Sequence, residues 1–346
     1  MYGAAVLVLG ASFVIWAWKS LTPPAPRICG KPNGPPVTSK RVKLSDGRHL
    51  AYREYGVAKG SAKFRVVVVH GIDSSKDFFL PLSQEFMEEL GLYIVAYDRP
   101  GYGESDPNPN RTVKSETFDL EEFADKLQLG SKFYLVGLSM GSYVSWGSLR
   151  YIPHRLAGVA LVVPVINYWW PSFPRKLPDK ALKRIPKSDA RMLWISHHVP
   201  GLLFWWLTQK WFPSSEVMNR SPVVFCEKDM ETIVMMSQLP PGNEPNPCQQ
   251  GDSESRYRDL KLGFGSWEFD PMELKNPFPD NPGVVRLWQG YEDRLVPYKL
   301  QRFLVEKLPW IKYHEIPGHG HLIIHETALC EAIFKSLLLG EEPSIA

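Results

Sequence analysis

Nine residues constrain this chain more than any others: Phe133-Tyr134-Leu135-Val136-Gly137-Leu138-Ser139-Met140-Gly141. A strand-like apolar run enters Gly-x-Ser-x-Gly, and a helix-compatible segment, Ser142 to Tyr151, follows. Strand, sharp turn and helix together force the central serine into strained backbone space and lift its hydroxyl clear of a sheet. The flanking glycines fit because strand and helix pass close together there. Ser139 is therefore the candidate nucleophile.

The rest of the chain supplies a sheet for that turn. Arg41 to Tyr55 reads as two short strands around Ser45-Asp46-Gly47. Phe64–Val69, Leu92–Tyr97, Phe133–Val136 and Leu156–Val163 are predominantly apolar rather than alternating, and Val284–Trp288 and Ile311–Ile316 read as the last two strands. That is the pattern of parallel strands covered on both faces. Helical stretches such as Leu80–Leu90 and Phe118–Leu127 lie between them. The expected fold is α/β, a doubly wound, mostly parallel sheet formed by residues 41–167 and 283–340. Residues 168–282 break the rhythm and hold seven of the chain's 12 tryptophans. Leu193–Trp206 and Lys228–Gln238 read as helices within them. This insert is expected to be a mainly helical cap over the C-terminal edge of the sheet, enclosing an apolar, aromatic pocket where open α/β sheets bind ligands.

The N-terminus reads differently. Tyr2 to Leu21 is almost wholly apolar, and twenty helical residues span ~30 Å, about a bilayer core. The stretch has no basic n-region, and Leu21-Thr22-Pro23-Pro24 is a poor cleavage site. The expectation is an uncleaved single-pass anchor (residues 1–21), with a cleaved signal peptide as the alternative. Residues 22–40 are a proline-rich linker. All six charged side chains in residues 1–45 are basic (Lys19, Arg27, Lys31, Lys40, Arg41, Lys43). The positive-inside rule then predicts an endoplasmic-reticulum membrane protein with a cytosolic body, against a secreted or lumenal one. Beyond residue 45, 34 basic residues face 37 acidic ones, so no nucleic-acid partner is expected. The cysteines, Cys29, Cys226, Cys248 and Cys330, are too few for a disulfide scaffold and form no zinc spacing. They read as free thiols, with a Cys226–Cys248 bridge the alternative in a lumen.

A serine hydroxyl is a weak nucleophile that needs a base and an orienting acid. On a sheet of this kind they follow in the order Ser, Asp or Glu, His. Asp293 stands just beyond Val284–Trp288, with Glu292 its alternative. His321 stands in Pro317-Gly318-His319-Gly320-His321 beyond the last strand, with His319 the competitor. His325, His197 and His198 read as packing residues. An oxyanion would need two backbone N–H groups, expected from Met140 at a helix N-terminus and from Ile72 after His70-Gly71. His70 itself reads as structural.

These residues together resemble the α/β-hydrolase fold family: His70-Gly71, Asp98-Arg99-Pro100-Gly101-Tyr102-Gly103-Glu104-Ser105, the Ser139 turn, Gly290 to Asp293, and Gly318 to His321. With the N-terminal apolar stretch and Trp169-Trp170-Pro171, the chain looks like a plant-type, membrane-anchored branch with a Trp-rich cap. The resemblance implies a serine hydrolase without metal or cofactor. Epoxide hydrolases and haloalkane dehalogenases, which put Asp where Ser139 stands, are excluded. The expected activity is cleavage of a small apolar carboxylic ester. Acyl transfer, or ligand reception with little turnover, would use the same pocket.

Overall fold

The computed structural model describes residue 12 and residues 16–238, 246–280 and 284–342. Eight strands form one sheet: β1 (Lys40–Lys43), β2 (His49–Gly56), β3 (Phe64–Val69), β4 (Leu92–Tyr97), β5 (Phe133–Leu138), β6 (Leu156–Val162), β7 (Val285–Gly290) and β8 (Lys312–Ile316). Their order is β1-β2-β4-β3-β5-β6-β7-β8. The first two strands enter antiparallel, and all pairings from β4 to β8 are parallel. Successive side chains of β3 serve opposite faces. Val67 and Val69 join one core cluster, Val66 and Val68 the other. Both faces are covered, which is why the strand is apolar at every buried position.

Helices α1 (Gln84–Leu90), α2 (Val113–Lys126) and α3 (Ser142–Tyr151) lie among the first six strands. Two of them start away from the expected positions because of their caps. Ser83 accepts from the Phe86 N–H and sets the start of α1. A reciprocal Thr112–Ser115 capping box starts α2 five residues before Phe118. Between β6 and β7, the described residues form no strand but five α-helices: α4 (Lys176–Leu182), α5 (Lys187–His198), α6 (Leu203–Thr208), α7 (Glu227–Ser237) and α8 (Arg256–Phe264). The single helix expected over Leu193–Trp206 is two. α5 stops at His198, and a 3-10 turn at Pro200–Leu202 precedes α6. Proline lacks the N–H that would continue the ladder. Finally, α9 (Tyr298–Lys307) links β7 to β8, and α10 (Thr327–Leu339) closes the chain over the second face.

The proline-rich segment is tied to the body. Thr38 and Ser39 each give a backbone N–H and a hydroxyl to Glu104, and the Cys29 N–H donates to Gln250. All four cysteines are buried free thiols.

The membrane-spanning helix expected over Tyr2–Leu21 needs correcting. Among the described residues no helix is long and apolar enough to cross a membrane. Residues 1–11 and 13–15 of that stretch lie outside the described residues. The signal-anchor reading, and the membrane placement drawn from it, fall with the helix.

Candidate active site

The turn after β5 has the strain its sequence predicts. Ser139 sits at φ +47°, a left-handed conformation that a non-glycine residue adopts at a cost. The Ser139 carbonyl is held by the Ser142 hydroxyl at 2.6 Å and the Val165 N–H at 3.1 Å. The glycines are needed for space. A Cβ on Gly141 would lie 2.4 Å from the Val69 carbonyl oxygen, and one on Gly137 would lie 2.2 Å from Ser145 Oγ.

The turn delivers Ser139 Oγ to 2.9 Å from His321 Nε2. His321 Nδ1 in turn lies 2.8 Å from Asp293 Oδ2. A carboxylate only accepts, so Nδ1 carries the proton, and Nε2 is left to accept from the serine. Asp293 is fixed by the backbone N–H groups of Leu295 and Val296 on Oδ1 and by Gln289 on Oδ2. Burial disfavours a charged His321 ring. The charge and hydrogen bond of Asp293, with the charge of Asp229, more than offset this and raise its pKa above the ordinary histidine value.

The competing residues are placed elsewhere. Glu292 is exposed beside buried Asp293, and it meets the histidine loop through its backbone N–H on the His319 carbonyl. The His319 ring turns to the Pro317 carbonyl and to Glu326. His325 donates to the Phe79 carbonyl and stacks on that ring, and burial lowers its pKa. His197 stacks on Trp169, and His198 stacks on Trp194.

His70 is fully buried and ties the loop after β3 to the loop after β4. Its Nδ1 donates to the Gly71 carbonyl at 2.8 Å, and its Nε2 accepts from the Arg99 N–H at 3.0 Å. Burial pushes the ring well below its usual pKa, which keeps it neutral for these two bonds. Arg99 Nη2 also donates to the Gly71 carbonyl, at 2.9 Å. In a planar trans peptide the following N–H points opposite to that carbonyl. The Ile72 N–H is thereby aimed away from His70 and Arg99. The loop passes close to the nucleophile, since a Cβ on Gly71 would lie 3.2 Å from Ser139 Cβ. Met140, the other expected donor, lies in the 3-10 turn that runs into α3, and both residues line the cavity beside Ser139.

That cavity has a volume of about 520 Å³. The sheet edge supplies its floor. The insert supplies walls such as Ile185, Met192, Val217, Phe225 and Ile233, and Arg220 and Arg294 are among its few charged members. No group of three or more His, Cys, Asp or Glu that could hold a metal is found among the described residues.

Residues 66–332 match the alpha/beta hydrolase family. The chain belongs to that family. Several solved structures share the fold of this α/β hydrolase. A thermophilic esterase from Thermogutta terrifontis, in a malate-bound structure, is 21% identical, with 87% of this chain and 99% of that one covered and a TM-score of 0.54. An alpha/beta hydrolase fold protein from Chitinophaga pinensis is 16% identical, with 87% and 96% covered and a TM-score of 0.61. An enol-lactonase from Burkholderia xenovorans LB400 is 18% identical, with 87% and 100% covered and a TM-score of 0.51. At such identities the likeness concerns the fold alone.

Sequence reasoning missed the partners that the insert of this hydrolase supplies. Asp259 on α8 grips Arg99, and Asp229 on α7 grips the backbone of the His321 loop. Neither aspartate has a motif around it, and each finds its partner only after the insert has folded back over the sheet.

Proposed function

We propose that this α/β hydrolase cleaves carboxylic esters through an acyl-enzyme on Ser139. The observation that carries the reading is the unbroken line from Asp293 through His321 to Ser139 Oγ, at 2.8 and 2.9 Å. Ser139 Oγ attacks the carbonyl carbon as its proton passes to His321 Nε2. Asp293 holds the imidazole in the tautomer that accepts it and stabilises the imidazolium. The oxyanion faces the N–H groups of Ile72 and Met140. Collapse breaks the ester C–O bond, and His321 returns the proton to the leaving alcohol. Water, deprotonated by the same nitrogen, then releases the acid and regenerates Ser139. The mostly apolar cavity favours an apolar acyl or alcohol group, and the insert acts as its cap.

The test is covalent labelling of the full chain by a fluorophosphonate, beside Ser139→Ala and His321→Ala, together with p-nitrophenyl ester turnover. Labelling and turnover lost in both variants are expected. A folded wild-type protein that neither labels nor turns over an ester would refute the reading.

A further inference from the structure

Helix α7 begins with a capping arrangement that does more than cap. Asp229 is its third residue and takes the Cys226 N–H on Oδ2 at 3.2 Å. A capping box needs no more than this from the side chain. Two further N–H groups reach the same carboxylate from a loop more than ninety residues away. The His321 N–H donates to Oδ2 at 3.1 Å, and the Leu322 N–H donates to Oδ1 at 2.8 Å. The carboxylate is only 2% exposed. It lies so close to the loop that a Cβ on Gly320 would be 2.0 Å from its Oδ2 and 2.6 Å from Cys226 Sγ. A glycine before the histidine is therefore a requirement set by Asp229. Gly290 admits the loop from the other side, since a Cβ there would lie 2.1 Å from the Gly320 carbonyl oxygen.

We propose that Asp229 is a positioning residue for the base: it clamps the backbone of the His321 loop to the insert and sets a second negative charge beside the imidazole. The inference rests on the serine-hydrolase reading above. In that reading Asp293 orients the ring, and Asp229 orients the backbone from which the ring projects. The insert thus completes the base as well as covering the pocket. Two carboxylates then share the stabilisation of the imidazolium, which forms only as Ser139 gives up its proton. The groups that face His321 are Asp293 from the loop after β7, Asp229 from α7, the Ser139 hydroxyl from the β5 turn and His325 from the turn that follows. Arg294, Arg220, Asp73 and Asp189 also line the cavity. Asp73 is paired with Arg220.

The experiment compares the fluorophosphonate labelling rate of the full-length wild type, Asp229→Asn and Asp229→Glu across pH 5 to 9, with far-UV circular dichroism on each. Asn keeps the shape, loses the charge and cannot accept from both loop N–H groups. Its labelling is expected to slow about tenfold. The acid limb of its profile should move down by about half a pH unit or more, because an imidazolium that loses a nearby anion gives up its proton more readily. Glu keeps the charge on a longer stem, so its rate should fall while its acid limb stays near the wild-type position. A merely structural Asp229 would slow labelling and leave the limb of Asp229→Asn in place, and that result would overturn the proposal. If Asp229→Asn does not fold, Asp229→Glu labelling within twofold of wild type would overturn it equally. A wild type that labels at Ser139 beside an unaffected Asp229→Asn leaves the hydrolase reading standing and removes this one. A folded wild type that never labels removes both.

Discussion

Asp259 is the anion at the centre of a buried polar network, and replacing it with asparagine gives a quantitative test. Arg99 donates to Oδ1 at 2.8 Å and to Oδ2 at 2.5 Å, Arg111 to Oδ1 at 2.7 Å and the Tyr102 hydroxyl to Oδ2 at 2.6 Å, while the Tyr143 hydroxyl, 3.2 Å from Oδ1, donates to Glu116 at 2.8 Å. Asp259, Arg99 and Arg111 are fully buried side chains. Burial opposes the Asp259 charge, but the two guanidinium groups outweigh it and hold the carboxyl below its usual pKa. In Asp259→Asn the two buried guanidinium groups face Glu116 as the one remaining anion of the cluster, 3.2 Å from Arg111. The amide nitrogen also points a donor at donors. Breaking such a pair costs about 3–5 kcal/mol, which for a body of about 300 residues lowers Tm by roughly 4–8 °C. Urea unfolding followed by tryptophan fluorescence reads the difference, with Asp252→Asn as control. Asp252 forms a partly exposed pair with Arg256, so its loss should cost less than about 1 kcal/mol. If Asp259→Asn also loses less than about 1 kcal/mol, the network does not tie α8 to the body as argued. Since its folded pKa is depressed, the Asp259 contribution is present above the ordinary aspartate pKa and lost as pH falls through the folded value.

Three further outcomes are expected. Gly141→Ala puts a methyl group 2.4 Å from the Val69 carbonyl and 2.5 Å from the His70 carbonyl, so it should abolish fluorophosphonate labelling and cost about 1–3 kcal/mol on denaturation. His319→Gln should keep kcat/KM for an ester within about threefold of wild type, because that ring faces Glu326 rather than Ser139; a loss near that of His321→Ala would reverse the assignment of the base. The base must be neutral to accept the serine proton, and its pKa is raised, so kcat/KM should fall as pH drops through a value above that of an ordinary histidine. An acid limb below the ordinary value would contradict the pairing with Asp293.

The central strands were legible because burial on both faces writes them as nearly continuous apolar runs: β3 and β4 have the bounds their residues predict. The three side chains of the site were legible because strand ends announce themselves with Gly-rich loops, and the structure brings Ser139, Asp293 and His321 together. Helix starts were less so. They hang on single side-chain bonds such as Ser83 to the Phe86 N–H, and the apolar pattern does not register them. The insert was legible in outline only. Its helices are short, α4 and α8 escaped notice, and Pro200 divides what the pattern joined. Asp229 and Asp259 look like ordinary surface acids until their partners are known. The apolar N-terminal stretch gave a membrane helix on hydropathy alone, and among the described residues no helix is long and apolar enough to cross a membrane.

The line from Ser139 to His321 joins residues 182 positions apart, and β6 pairs with β7 in parallel across the whole insert. A ribosome adding about 5–20 residues per second needs roughly 10–40 s to travel from one to the other. Throughout that interval the nascent chain carries a finished serine turn without a base. The first six strands can associate while the insert is still being made, but an apolar edge of β6 stays open until β7 arrives. In the proposed mechanism synthesis itself therefore delays the activation of Ser139, and the same delay leaves β6 with an unpaired edge of the kind that invites pairing with other chains.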